Sequence, residues 1–256
     1  MPRMVELAGS SADAARDAAL DALRRCRLFA GLDEASLGLV GGALRPRRFR
    51  KGETIFHAGD PGDALFIVAD GLVKITLPAD DGSEPAILTT IGAGGFFGEL
   101  ALLDGARRSA TAVALDAVTT QVLRREAFDR LVDEQAPLRH ALLAALAGEI
   151  RRLTAQVEDL HFLDLPGRLA RHLLRSLLRD ADADADADDG SDLTLPVGEV
   201  RLPRPYTQAE LAGMIGGSRQ TVNRLLADFV GDGLLRFDGD ELVIPDAGRL
   251  ANAARR

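Results

Sequence analysis

The sequence predicts an α+β protein in three parts: an N-terminal β-roll of jelly-roll type, a long dimerisation helix, and a C-terminal winged helix-turn-helix. Three observations carry this reading. Between Arg50 and Leu123, apolar residues alternate at a period of two in short runs broken by glycine turns. From Leu143 to Leu160 they recur at spacings of three and four in turn. From Thr207 to Ile244, two short helical patterns meet at Gly216-Gly217 and a hairpin pattern follows.

At 256 residues the chain has room for two compact domains. The divisions read are an N-terminal extension at 1–24, the roll at 25–135, the dimerisation helix at 136–164, and the helix-turn-helix part at 165–256. All basic residues are Arg except Lys51 and Lys74, so Arg abundance is compositional and says little about nucleic acid. The single Cys26 leaves no intramolecular disulfide and no Cys-ligated cluster. No apolar run reaches membrane-spanning length, and the charges Glu6, Asp13, Arg16, Asp17 and Asp21 are unlike a signal peptide. A cytoplasmic protein with no membrane partner is expected. The net charge of −8 is uneven, because Asp180, Asp182, Asp184, Asp186, Asp188, Asp189 and Asp192 supply seven of the negative charges.

Residues 1–20 are Ala-rich and read as mobile; Ala22 to Leu44 read as short helices through Leu23, Leu28, Phe29, Leu32, Leu37 and Val40. Six strands follow, at 53–57, 64–68, 72–77, 85–91, 110–114 and 118–123, with turn signals at 59–62, 70–71, 81–82 and 92–95. Pro137 suits the first turn of a helix over 138–163, about 40 Å long at ~1.5 Å per residue. Its seam is Leu143, Leu146, Ile150, Leu153, Val157 and Leu160, with Arg151, Arg152, Gln156 and Glu158 off it, which favours a homodimer over a helix lying on its own roll. A second helix, Pro166 to Leu178, follows the corner Phe162-Leu163-Asp164. The Asp-Ala tract 180–192 repels itself and reads as a disordered loop; it lacks the calcium-loop pattern, and no metal site is assigned.

The stretch Phe96 to Thr111 interrupts the roll between strands, as a loop-borne site does. Glu99 precedes Arg108 by nine residues, and a short helix over about 99–103 would bring backbone amides beside them. An Arg fork holds a phosphate in a fixed plane, whereas a carboxylate accepts from a hydroxyl. The chemistry asked for is a compact ligand with one phosphate and one hydroxyl. The run Phe-Gly-Glu-Leu-Ala-Leu, a gap, then Arg-Ser-Ala resembles the phosphate-binding cassette of cyclic-nucleotide-binding domains. The resemblance implies that Glu99 takes the ribose 2′-hydroxyl, Arg108 the cyclic phosphate and Ser109 a second phosphate contact, with Gly98, Leu100, Ile75 and Leu88 completing the ligand contacts. The Arg-Ser-Ala register selects Arg108 over Arg107.

Thr207-Gln-Ala-Glu210 is a capping box. Ser218 then caps a helix with Val222, Leu225, Leu226 and Phe229 on one face and Arg219, Gln220, Asn223 and Arg224 on the other. Leu235 to Phe237 and Leu242 to Ile244 form the wing. Residues 201–256 hold eight Arg against seven acidic residues, so attraction to DNA would have to be local.

The cassette, the long helix, the corner with Gly167-Arg168-Leu169-Ala170, and Ser218-Arg-Gln-Thr-Val-Asn-Arg224 together resemble the cyclic-AMP receptor protein/FNR superfamily of bacterial transcription regulators, over about Leu28 to Ile244. The resemblance implies a roll of cyclic-nucleotide-binding type, cyclic AMP as effector, a palindromic double-stranded DNA operator and RNA polymerase as partner, and no enzyme activity. Arg219 and Arg224 would contact guanines and phosphates, Gln220 would be the middle reader, and Thr207, Ser218 and Thr221 would lie near phosphates. Two departures stand out. Gln220 replaces a Glu common in cyclic-AMP-responsive members, which puts one base of a GTGA-like half-site in doubt. Thr154 takes the place of a cross-subunit adenine contact, but Leu153 precedes it where the family has a second Thr. A same-fold regulator with another nucleotide, with haem, or with no ligand stays open; His57, His140, His161 and His172 are present for haem, but no pair of them has a ligand arrangement, and each reads as an ordinary surface or core histidine.

Overall fold

The computed structural model describes residues 17–78, 85–181, 195–196, 198–203 and 206–254. They fall into two compact units that part between Leu146 and Ala147.

The first unit is an antiparallel roll. Residues 17–25 form helix α1, followed by a 3-10 turn at Arg27–Phe29 and α2 (Glu34–Ala43). Eight strands follow: β1 (Arg45–Phe49), β2 (Thr54–Phe56), β3 (Ala64–Asp70), β4 (Val73–Leu77), β5 (Ala86–Ile91), β6 (Phe96–Phe97), β7 (Thr111–Ala114) and β8 (Val118–Arg124). One sheet runs β1-β8-β3-β6 and the other β2-β7-β4-β5. Pleating sorts the strand residues. In β3, Ala64, Phe66 and Val68 meet Phe49, Ile55, Phe97, Ala112 and Val118 in a core shared by the two sheets. Leu65 and Ile67, on the opposite face of β3, pack instead against helices, with Ala22, Leu23, Leu37, Phe128, Leu138 and Leu142. Those helices include α4 (Arg125–Glu134) and the first turns of α5 (Ala136–Phe162). The six strands expected are all present. The structure adds β1, β6 and α4, and it corrects the reading of the chain's start: residues 17–20 are helical and Ala19 is buried in the helical core, because Ala19, Ala22 and Leu23 lie on one face of α1. That helix straddles the boundary drawn between residues 24 and 25. Residues 1–16 lie outside the described residues.

The second unit begins in the last turns of α5 and turns at Leu163-Asp164 into α6 (Leu165–Ala181), whose first turn Asp164 caps by accepting from Gly167 N at 2.9 Å. Helix α6 runs to Ala181, so the first two residues of the tract read as a loop are helical; 182–192 lie outside the described residues. Then come β9 (Val200–Pro203), α7 (Gln208–Ile215), α8 (Arg219–Gly231), β10 (Arg236–Asp238), β11 (Glu241–Ile244) and α9 (Ala247–Ala253). The wing is a three-stranded sheet ordered β10-β11-β9, one strand more than the expected hairpin. Its core joins Leu169, Leu173, Leu177, Leu211, Ile215, Val222, Phe229, Ile244 and Leu250.

Candidate functional site

In the roll, the cassette lies between β6 and β7. Gly98 takes φ +84°, a left-handed conformation, and hands the chain to the short helix α3 (Leu100–Asp104), whose N-cap is Glu99; Gly105 at φ +71° ends it. Arg108 follows four residues after α3 and is only 5% exposed. Its main chain is pinned to the 57–63 loop: Arg108 N donates to Asp60 O at 2.9 Å, and Gly59 N donates to Arg108 O at 2.8 Å. Its guanidinium turns inward, with Nη1 donating to Gly98 O at 2.6 Å and Nη2 to Ala64 O at 2.8 Å. Its face lies over Phe56 with Cζ 4.3 Å from the ring centroid, and Phe66 and Phe97 stack behind at 5.2 Å. This is a cation held on aromatic faces and carbonyl oxygens.

Two features of Arg108 suit it to an anion. Its Nε is buried and donates to nothing among the described residues, whereas a guanidinium carries five N–H donors and a buried orphan costs about 1–3 kcal/mol. Burial, the largest influence, holds its pKa down, while Asp63 and Glu99 oppose that and Arg125 adds to it. Glu99 therefore lies close enough for its charge to act on Arg108, and Gly98 O, one residue away, accepts from it directly. Glycine at 62 and 98 makes the cradle: a Cβ on Gly98 would sit 2.6 Å from Arg108 Nη1, and one on Gly62 would collide with Ala101. The donor set fits a ligand carrying a phosphate and a hydroxyl.

Of the other residues expected here, Ser109 and Leu100 are exposed within the cassette, and Ile75 packs against the core between the two sheets, which contains Phe66 and Phe97. Leu88 is half-buried on β5, an edge strand. Thr154 is not in this unit; it is exposed on α5, with Oγ1 donating to Ile150 O at 2.9 Å. Sequence reasoning missed Phe56 and Arg125. Phe56 carried a signal, an aromatic in a strand that flanks a glycine turn. Arg125 carried none, since its partners are main-chain carbonyls.

Along α5, Leu143, Ile150, Leu153, Val157 and Leu160 are exposed, Leu143 at 66% and Ile150 at 65%, and Leu146 is half-buried. The seam is an apolar stripe open to solvent in the single chain.

The DNA-type motif is built as its caps dictate. Thr207 Oγ1 accepts from Glu210 N at 3.2 Å, and Glu210 Oε2 accepts from Thr207 N at 2.9 Å, a complete capping box. Gly216, at φ +72°, closes α7. Ser218 Oγ accepts from Thr221 N at 3.1 Å and opens α8. Val222, Leu225, Leu226 and Phe229 are buried, which turns Arg219, Gln220, Asn223 and Arg224 outward. Those four side chains make no hydrogen bond or ion pair among the described residues. The wing arginines are instead consumed locally: Arg201 pairs with Asp238 and Glu241 at 2.9 and 2.8 Å, and Arg236 with Glu199 at 2.6 Å.

Comparison with known proteins gives two family matches, a cyclic nucleotide-binding domain over residues 46–135 and a Crp-like helix-turn-helix domain over 167–253. A CRP-like cAMP-activated global transcriptional regulator of Mycobacterium tuberculosis is 35% identical over 91% of this chain and 98% of its own length. The cyclic AMP receptor protein of Thermus thermophilus is 31% identical over 89% of this chain and 96% of its own. Among solved structures, the c-di-GMP-responsive global regulator CLP of Xanthomonas campestris shares the fold, with a TM-score of 0.66 at 24% identity over 83% of this chain and 99% of that one.

Proposed function

Because this chain belongs to the cyclic-AMP receptor protein/FNR superfamily and is a cyclic-nucleotide-binding transcription regulator, we propose that its effector is cyclic AMP and that it works as a cytoplasmic homodimer on a palindromic operator, in contact with RNA polymerase. One observation carries the effector reading: a buried guanidinium whose Nε has no partner among the described residues, beside a carboxylate. The cyclic phosphate satisfies Arg108, with Ser109 as a second contact, and Glu99 accepts from the ribose hydroxyl; Gly98, Leu100, Ile75 and Leu88 complete the site. Thr154 supports adenine over guanine. Its hydroxyl proton is given to Ile150 O, so its oxygen is left to accept, as it can from adenine's 6-amino group and not from guanine's 6-oxygen.

The seam of α5 supports the dimer, since Leu143, Leu146, Ile150, Leu153, Val157 and Leu160 bury against a copy of themselves. In the dimer two α8 helices address successive major grooves about 34 Å apart. Arg219 and Arg224 read guanine or hold phosphate, Gln220 reads the middle base, Asn223 borders it, and Thr207, Ser218 and Thr221 lie along the backbone. A second reading, the same machine with another nucleotide, rests on Leu153: one polar adenine contact is replaced by an apolar side chain.

The test is calorimetric titration of cyclic AMP, cyclic GMP and cyclic di-GMP into wild type and Arg108→Ala, paired with an electrophoretic shift on a GTGA-type palindrome. Heat from cyclic AMP alone, lost in Arg108→Ala, together with a cyclic-AMP-dependent shift, is the expected result. Equal heats in both proteins sink the assignment, and heat from another nucleotide selects the second reading.

A further inference from the structure

Arg125 is the first residue of α4, and it lies in no part of the cassette motif. Its main-chain N donates to Asp63 O at 2.8 Å. Its side chain reaches back to three carbonyls: Nη2 donates to Gly62 O and to Ala101 O, both at 2.7 Å, and Nη1 to Leu102 O at 3.1 Å. Helix α3 is five residues long and stops at Gly105. Its last carbonyls have no further turn to accept from, and Arg125 supplies the missing donors from another element.

The same guanidinium holds Gly62, whose missing Cβ lets the 57–63 loop close on Ala101, with the Arg108 guanidinium 3.4 Å from where that Cβ would be. Gly62, α3 and Arg108 thus form one packed block, and Arg125 ties it to the start of α4. Helix α4 sends Phe128 and Leu131 into the core that also takes Leu138 and Leu142 of α5. Whatever shifts α3 shifts Glu99 at its N-cap and the Gly98 carbonyl on Arg108.

We propose that Arg125 is a positioning residue of the effector site: by bonding Gly62, Ala101 and Leu102 together it sets the place of α3, and so of Glu99 and Gly98, relative to Arg108. This rests on the reading of Arg108 and Glu99 as the effector site. A planar fork suits three carbonyls converging from two segments, and a Lys ammonium, with three donors on a single point, suits them less well.

The experiment compares full-length wild type, Arg125→Gln and Arg125→Lys. Hydrogen exchange of residues 99–105 is measured without nucleotide, and cyclic AMP affinity is measured calorimetrically well below each variant's melting temperature. Arg125→Gln is expected to speed exchange in 99–105 selectively and to weaken cyclic AMP about tenfold, with Arg125→Lys between it and wild type. Unchanged exchange in 99–105 overturns the proposal, as does a lowered melting temperature with unchanged affinity in the folded protein, which marks a purely structural arginine. If wild type takes up no cyclic AMP while exchange changes as expected, the effector reading fails and the positioning role stands.

Discussion

At Gly98 a single hydrogen in place of a methyl group keeps the cassette open. The residue combines φ +84° with a space 2.6 Å wide between its absent Cβ and Arg108 Nη1. Gly98→Ala meets both a strained backbone, about 1–3 kcal/mol, and a displaced guanidinium. A lower melting temperature together with lost cyclic AMP heat is expected, and calorimetry on the folded variant separates the two effects. Cys26 gives a pH prediction with a definite sign. Burial pushes its thiol pKa up to about 12 from 9.0. In the unfolded chain the thiol ionises near its ordinary value, so above pH 9 the unfolded state binds fewer protons than the folded one. Its contribution is complete below pH 9 and is lost as pH rises toward about 12. Urea melts of wild type from pH 8 to 11 should show that loss, and Cys26→Ala, less stable at neutral pH, should show a flatter alkaline slope. That Glu99 would lie near enough to act on Arg108 was legible in the sequence because both carry charge at a characteristic spacing. That Phe56, on β2, would lie beneath the guanidinium of a loop residue was not legible, since an aromatic beside a glycine turn does not name a partner 52 residues further along the chain.

Among the elements, α8 shows how much rests on ends. Its buried face is four apolar side chains, and Arg219, Gln220, Asn223 and Arg224 face outward with no hydrogen-bond partner among the described residues. The helix begins where Ser218 supplies an acceptor to Thr221 N. Ser218→Ala is expected to cost about 1 kcal/mol, read as a drop in the midpoint of a urea melt. Thr207→Ala should cost a similar amount through the capping box that opens α7. Both caps were readable because N-caps have a residue signature and a fixed offset to their partner. The elements missed in the sequence share the opposite property. Strand β1, Arg45 to Phe49, buries only its last residue, so no alternation marks it. Helix α4 is dominated by charge and sinks only Phe128 and Leu131. Strand β9 exists because β11 pairs with it, a long-range cause that no window of sequence contains.

For the whole molecule, the distribution of charge matters more than its total. The chain carries −8, yet Arg219 and Arg224 stand outward with no acid engaged among the described residues, while Arg201 and Arg236 in the wing are neutralised by Glu199, Asp238 and Glu241. DNA affinity should therefore depend on a few arginines on α8 and hardly on the wing. A group that contacts only phosphate contributes about 0.9 to the slope of log affinity against log salt, whereas an Arg that reads guanine is worth about 1–3 kcal/mol of discrimination. Arg219→Ala and Arg224→Ala should each weaken an operator duplex, and the variant that relaxes base preference while keeping the salt slope identifies the reader. Arg201→Ala should leave both quantities unchanged. In the proposed dimer, pairing would multiply whatever one α8 achieves, because the second half-site would then be bound at high effective concentration. Ile150→Asp puts a carboxylate into the apolar stripe of α5, where desolvation and like charge would both oppose the proposed pairing. Sedimentation should show a monomer with native circular dichroism, and affinity for the full palindrome should fall to that for a single half-site. A monomeric variant that binds the palindrome as tightly as wild type would mean that α5 does not align the two readers.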